Sequence, residues 1–309
     1  MTTWGIVSMV RGDTQDILRF AAHHLDLGAD RLYIYLDEPN PEAFNHLDQH
    51  PKVDVQLCDD AFWRGKNRNR PGKHQVRQST HASFTYRNTD LEWLAHIDVD
   101  EFLWSSTPIP TLLDSVPVEI PAIRVRPVEA LAEAEDLYKA HIPKSPDRED
   151  LVNALYPTYG AYVLGGFLSH VQGKLFVRTG LKKLSFRIHN LFQDKTLLPC
   201  KFELAGLELC HRHAPDWEHW IKHYRFRMDR GSYQPGMSPN APRDQGGVNK
   251  NELFSQIEAQ GGIDGLRVFF DEISGVDPEV RARLEARGQI RHYPLKLDQK
   301  VAKHFPGSC

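Results

Sequence analysis

The chain reads as an α/β protein: a mainly parallel sheet flanked by helices, with a small antiparallel portion and a helical C-terminal region. Two observations predict this. Short runs rich in β-branched and aromatic residues alternate with amphipathic segments through the first hundred residues. The run from Trp93 to Leu103 then sets Asp98, Asp100 and Glu101 at the end of an apolar element. Charges there are costly unless paired or metal-bound. In an alternating α/β sheet that is where ligands bind.

The elements follow in order. Trp4 to Val10 is a buried strand, punctuated by Arg11-Gly12-Asp13. Asp13 or Thr14 caps a helix from about Gln15 to Leu27, with Ile17, Leu18, Ala21, His24 and Leu25 on one face and Gly28 as its stop. Arg31 to Leu36 is the second strand, ending at Asp37. A short helix spans Glu42 to Gln49, and Val53 to Leu57 is the third strand. Arg64 to Lys73 is a basic loop, His74 to about Tyr86 a helix, and Leu91 to Ile97 the fourth strand. Pro108 to Leu113 opens a helix with proline near its start. Ala122 to Val128 is a strand, and 129–170 an irregular excursion. Leu175 to Val177 and Lys183 to Ile188 read as antiparallel strands, and Glu208 to Cys210 as a short apolar piece. Trp217 to Asp229 is helical, 232–248 a long Pro/Gly/Asn-rich loop, and helices at Asn251 to Gln260 and Pro278 to Arg287 close the chain. The expected division is a core over 1–230 with a loop and helical extension over 231–309.

Composition narrows the function. With 309 residues, 40% hydrophobic and 26% charged, the chain can bury a large core. A formal charge of -3 lacks the basic excess of a nucleic-acid-binding surface. The 16 histidines make the charge sensitive to mild acidification. Four cysteines in no CxxC pair read as reduced thiols, with Cys309 exposed and incidental. The N-terminus lacks signal-peptide character, and no apolar stretch approaches a membrane span. The expected location is cytoplasmic, with peripheral contact at the inner membrane face left open.

Asp98 and Asp100 are two apart, so on a continuing strand they share a side. Mg²⁺ and Mn²⁺ take such oxygen ligands together with substrate phosphates. A dinucleotide-binding GxGxxG is absent after the first strand, and no GxxxxGK[ST] occurs. A metal-dependent phosphohydrolase and a sugar-binding protein without turnover remain as alternatives.

Several blocks carry a family resemblance. His23-His24 with Gly28 closes the first helix, and Asp37 ends the second strand. Asp98-Val99-Asp100-Glu101-Phe102 follows the fourth strand. Downstream lie Gly173-Lys174 with Arg178, the pair His189-Asn190, and His211 ahead of the helix from Trp217 to Lys222. With these blocks the chain resembles the family-2-like GT-A glycosyltransferases with a DxDEF motif, over about residues 4 to 230. It departs at Gly12-Asp13, where many relatives have Asn-Glu, and at Asn190-Leu191, where Asn-Pro is usual.

The resemblance implies a metal-dependent transfer of sugar from a UDP- or GDP-sugar to a glycan, glycolipid or small hydroxyl acceptor, with inversion. It implies Mn²⁺ or Mg²⁺ held by Asp98 and Asp100, with His189 or His211 as a further ligand. Asp98 also lies near the ribose. Lys174, Arg178 and Arg187 are candidates to balance charge on the departing diphosphate, with Lys73 from the basic loop. Arg11 and Asp37 are candidates for base or ribose contacts. Asp216, Glu203 and Glu129 are candidate bases for the acceptor hydroxyl. Tyr156, Tyr159, Tyr162, Trp217, Trp220 and Tyr233 offer rings for stacking or for core packing. Polysaccharide biosynthesis is the setting the family suggests.

Overall fold

A computed structural model describes residues 2–66 and 69–308. Parts of the basic loop (Asn67, Arg68) and Cys309 lie outside the described residues. The chain path opens β1 (Trp4–Val10), α1 (Thr14–Asp26), β2 (Arg31–Leu36), α2 (Pro41–Asp48), β3 (Val53–Leu57), α3 (Asp60–Gly65), α4 (His74–Asn88) and β4 (Trp93–His96). It continues through β5 (Glu101–Trp104), α5 (Ile109–Asp114), β6 (Ala122–Ala130), β7 (Leu137–Lys139) and α6 (Arg148–Leu155). Then come β8 (Lys174–Arg178), β9 (Leu184–Phe186), β10 (Leu191–Gln193), β11 (Thr196–Leu198) and β12 (Glu203–His211). The chain closes with α7 (Trp217–Asp229), α8 (Lys250–Ser274), α9 (Pro278–Ala286), β13 (Ile290–His292) and α10 (Leu297–His304).

Two compact units result. The first comprises Met1–Arg126, Gln172–Cys210 and Leu295–Cys309; the second comprises Pro127–Val171 and His211–Pro294. β6 and β12 each begin in the first unit and end in the second.

In the first unit the strands β3, β2, β1 and β4 pair parallel in that order. β8 runs antiparallel to β4, and the first half of β6 runs antiparallel to β8. β9, β10 and β11 form a separate antiparallel sheet. The expected α/β class, mainly parallel core and antiparallel portion are therefore present. Parallel strands are buried on both faces, so β1 reads as a nearly continuous apolar run. Gly173 turns the chain into β8 at φ +68°, where a Cβ would lie 2.0 Å from the Val125 carbonyl oxygen, so this position needs glycine. α10 packs on α1, with Lys303 Nζ 2.6 Å from Asp26.

The second unit carries the end of β6, β7 and β13 as an antiparallel ribbon. Its core gathers Trp220, Tyr224, Phe254, Phe269, Phe270 and Ile273. Trp220 is fully buried and its Nε1 donates to Tyr233 Oη, so it packs the core, as do Tyr156 and Tyr233. Segment 129–170 is more regular than its composition suggests, holding β7 and α6. α8 is two helical stretches joined by a kink at Gly262, which leaves helical geometry at φ 58°, and its second stretch runs on to Ser274. Asn249 and Glu252 form its reciprocal N-terminal cap. Among the described residues, no helix is long and apolar enough to cross a membrane, and Cys58, Cys200 and Cys210 are free thiols.

Candidate functional site

The acidic motif sits just past β4, at the carboxyl edge of the four parallel strands. The strand stops at His96, Asp98–Asp100 form a turn, and Glu101 starts β5. Glu101 is fully buried and its Oε2 accepts from the Asp98 N–H at 3.0 Å, closing the turn. It braces the backbone that presents the two aspartates.

Lys174, on β8, is buried beneath this turn. Its Nζ lies 2.5 Å from Asp98 Oδ2 and 3.3 Å from Glu101 Oε2. Gln78 from α4 donates to the other Asp98 oxygen at 2.8 Å. Burial alone would raise the Asp98 pKa, but Lys174 overrides it and holds the carboxyl far below its usual range. Against the same burial, Asp98 and Glu101 raise the Lys174 ammonium. Three carboxyl groups thus share the turn with the Lys174 ammonium, an acidic excess of the kind a divalent cation balances.

The His23-His24 pair and the acidic motif form one construction. His23 Nε2 donates to the Leu103 carbonyl at 2.7 Å, while His24 Nε2 accepts from the Leu103 N–H at 3.3 Å. Two imidazoles thus pair the β5 backbone as a neighbouring strand would. His24 Nδ1 donates to the Phe20 carbonyl, and Lys300 Nζ donates to His23 Nδ1, which fixes both tautomers. The Phe102 ring stacks on His24 at 6.2 Å and 4°. Burial holds His24 neutral at about 3 and His23 well below its ordinary value. The spacing of these blocks thus reflects packing that sets β5 and the turn before it.

At the end of β2, buried Asp37 binds Arg77 through both oxygens, at 2.7 and 2.5 Å, and Arg70 at 3.0 Å. Arg77 also donates to the Pro71 and Gly72 carbonyls, anchoring the basic loop. Burial would raise the Asp37 carboxyl, but these guanidiniums hold it below its usual range. Arg11 pairs with Glu38 at 3.0 Å on the surface. Arg77, Gln78 and His81 were missed in the sequence. The signal was there: polar residues recur at helical spacing along the buried face of α4.

Other candidates have partners too. Arg178 donates to the Val116 and Ile120 carbonyls and stacks on Trp93 at 4.3 Å. Arg187 lies over Phe192 at 4.0 Å. His189 Nδ1 donates to the Gly173 carbonyl at 2.8 Å, so in the neutral ring the lone pair is on Nε2. That tautomer suits a metal ligand. Burial pushes His96 down to about 4. Glu203 pairs with Arg126 at 2.8 Å.

The second unit has its own polar features. Asp216 Oδ1 caps α7 through the His219 N–H at 2.7 Å. Glu129 accepts from the Leu168 and Ser169 N–H groups and from Lys139 at 2.9 Å. Burial works against these partners, led by Lys139, yet they hold Glu129 at about 2. Lys139 also donates to the Gly166 and Ile273 carbonyls at 2.8 and 2.6 Å. Lys139→Met is expected to lower stability by about 3–5 kcal/mol in denaturant unfolding, because it strands a buried charge. Lys139→Met/Glu129→Gln is expected to be more stable than the single variant. His211 heads an imidazole cluster, with ring centroids 5.0 Å from His170 and 5.3 Å from His213. The groups that could ligate a divalent cation include Asp100 and Glu101 in the first unit and His170, His211 and His213 in the second.

No family model matches the chain, and no curated protein matches it. Among solved structures, that of HddC from Yersinia pseudotuberculosis aligns over 70% of this chain and 82% of that one, at 10% identity and a TM-score of 0.30. A likeness that low carries no argument for function.

Proposed function

We propose that this chain is a metal-dependent glycosyltransferase. It moves a sugar from a nucleoside-diphosphate sugar to a hydroxyl acceptor with inversion. The observation that carries this reading is the acidic turn at the carboxyl edge of the parallel strands, held by Lys174, Gln78 and Glu101 and bearing Asp98 and Asp100.

Mn²⁺ or Mg²⁺ fits the donors available. Asp100 is the second carboxylate of the turn and one of the groups that could ligate a cation, so we assign it the principal ligand role. Of the two histidines the sequence resemblance offers as a further ligand, His189 presents an imidazole in the right tautomer, and His211 is the alternative. The cation would neutralise charge on the departing diphosphate. Asp98, with both oxygens engaged, orients the turn and remains a candidate for a ribose hydroxyl. Asp216 is our choice of acceptor base, because it caps α7 through Oδ1. Glu203 and Glu129 are committed to cationic partners.

That commitment also supports a second reading, a nucleotide-sugar binder without turnover. Release of nucleoside diphosphate from UDP- or GDP-sugars with Mn²⁺ separates the two. The transferase reading expects slow donor hydrolysis that drops at least about a hundredfold in Asp100→Ala at unchanged melting temperature. Tight donor binding with no hydrolysis or transfer to any hydroxyl acceptor favours the binder.

A further inference from the structure

We propose that the outer face of α4, with the turn before β9, docks on an anionic membrane surface. The inference does not depend on the transferase reading. It begins with a charge asymmetry. Residues 61–89 contain seven Lys and Arg and no Asp or Glu, and residues 172–202 contain seven Lys and Arg against one acidic residue, Asp194. The chain's formal charge is -3, so the remainder is strongly acidic.

The fold brings these two segments together. Ser83 Oγ on α4 accepts from the Phe186 N–H, and Tyr86 Oη accepts from the Leu181 N–H. Several cations are consumed inside: Arg77 and Arg70 on Asp37, Lys174 on Asp98, and Arg178 on backbone carbonyls. Lys66, Arg87, Lys182 and Arg187 are exposed.

The α4 face is mixed rather than simply basic. Val76, Thr80, Phe84 and Arg87 recur at helical spacing, with Val76 48% and Phe84 43% exposed. Lys66 Nζ lies over the Phe84 ring at 4.1 Å. Between α4 and β9 is a hollow of about 520 Å³, whose lining includes Ser79, Thr80, Ser83, Ser185, Arg87 and Arg187. Hydroxyls and two guanidiniums suit a phosphate headgroup. Apolar side chains set among cations suit the bilayer interface, whereas a soluble polyanion would use the cations alone. The buried face of α4 carries Gln78, which holds Asp98, so one helix separates this surface from the acidic turn.

The test is co-sedimentation of the full chain with vesicles. Binding is expected to vesicles containing about a third phosphatidylglycerol, not to phosphatidylcholine alone, and is expected to fade at high salt. Lys66→Glu/Arg87→Glu/Lys182→Glu is expected to weaken it at least about tenfold at unchanged melting temperature. Phe84→Ser is expected to weaken binding while preserving its salt dependence. Equal binding to both vesicle types, binding to neither, or undiminished binding by the triple variant would overturn the proposal. So would capture by heparin without vesicle binding.

Discussion

Acidification from pH 7 to about 5 is expected to unfold this protein, well above the range where carboxylates titrate. Four buried imidazoles and the half-buried His213 cause this. Burial takes His24 down to about 3, and His81 and His96 down to about 4; it also lowers His23 and His213 well below their ordinary value. The geometry agrees for the pair on α1. A second proton on His24 would face the Leu103 N–H, and one on His23 would face Lys300. Below about pH 6.5 the unfolded chain takes up these protons while the folded chain does not. Stability is therefore full above about 6.5 and falls as pH drops towards the folded values. Each group contributes about 1.4 kcal/mol per pH unit, so five remove roughly 7 kcal/mol per unit, comparable to a typical total stability. Urea unfolding at pH 7.5, 6.5 and 5.5 checks this. A midpoint unchanged across that range would contradict it, and His24→Gln is expected to soften the slope.

Lys174→Met is expected to cost about 3–5 kcal/mol at pH 7.5, because it leaves Glu101 and Asp98 without their buried counter-charge. The pH dependence would change sign locally. In the parent chain, Lys174 depresses Asp98, a contribution present above the unfolded carboxylate value of about 4 and lost as pH falls through the folded one. In the variant, burial raises both carboxyls, so mild acid protonates them and relieves part of the defect. The gap between variant and parent is expected to narrow from pH 8 to pH 6.5, above the range where the imidazoles act. Thermal melting at those two values measures it. A melting temperature within about 2 °C of the parent at pH 7.5 would show that Lys174 does not support the turn.

Much of the first unit was legible because its signals are local. β1, β2 and β3 lie where their apolar runs place them, and the His23-His24 and Asp98–Phe102 blocks stand out as patterns in the sequence, although only the fold joins them through Leu103. Lys174 shows the limit. A lysine after glycine reads as a phosphate contact, and its partner Asp98 is 76 residues away. Only the β4–β8 pairing shows that an inward-facing ammonium sits beneath a carboxylate. β13 and α10 went unread because a three-residue strand and an eight-residue helix are too short to show periodicity. The helix expected over Asn251 to Gln260 does end near there, at the Gly262 kink; the second stretch to Ser274, packed through Leu266, Phe269 and Phe270, is what the sequence reading lacks.

The central claim is a divalent cation that joins the acidic turn to a nucleoside diphosphate. Titration calorimetry of the parent and Asp100→Asn chains with UDP, GDP and their sugars, with and without Mn²⁺, tests it most directly. At least one nucleotide is expected to bind the parent only when Mn²⁺ is present, and that binding is expected to weaken at least about tenfold in Asp100→Asn. Failure of every nucleoside diphosphate and sugar nucleotide to bind with Mn²⁺, or equal binding by both chains, would contradict it.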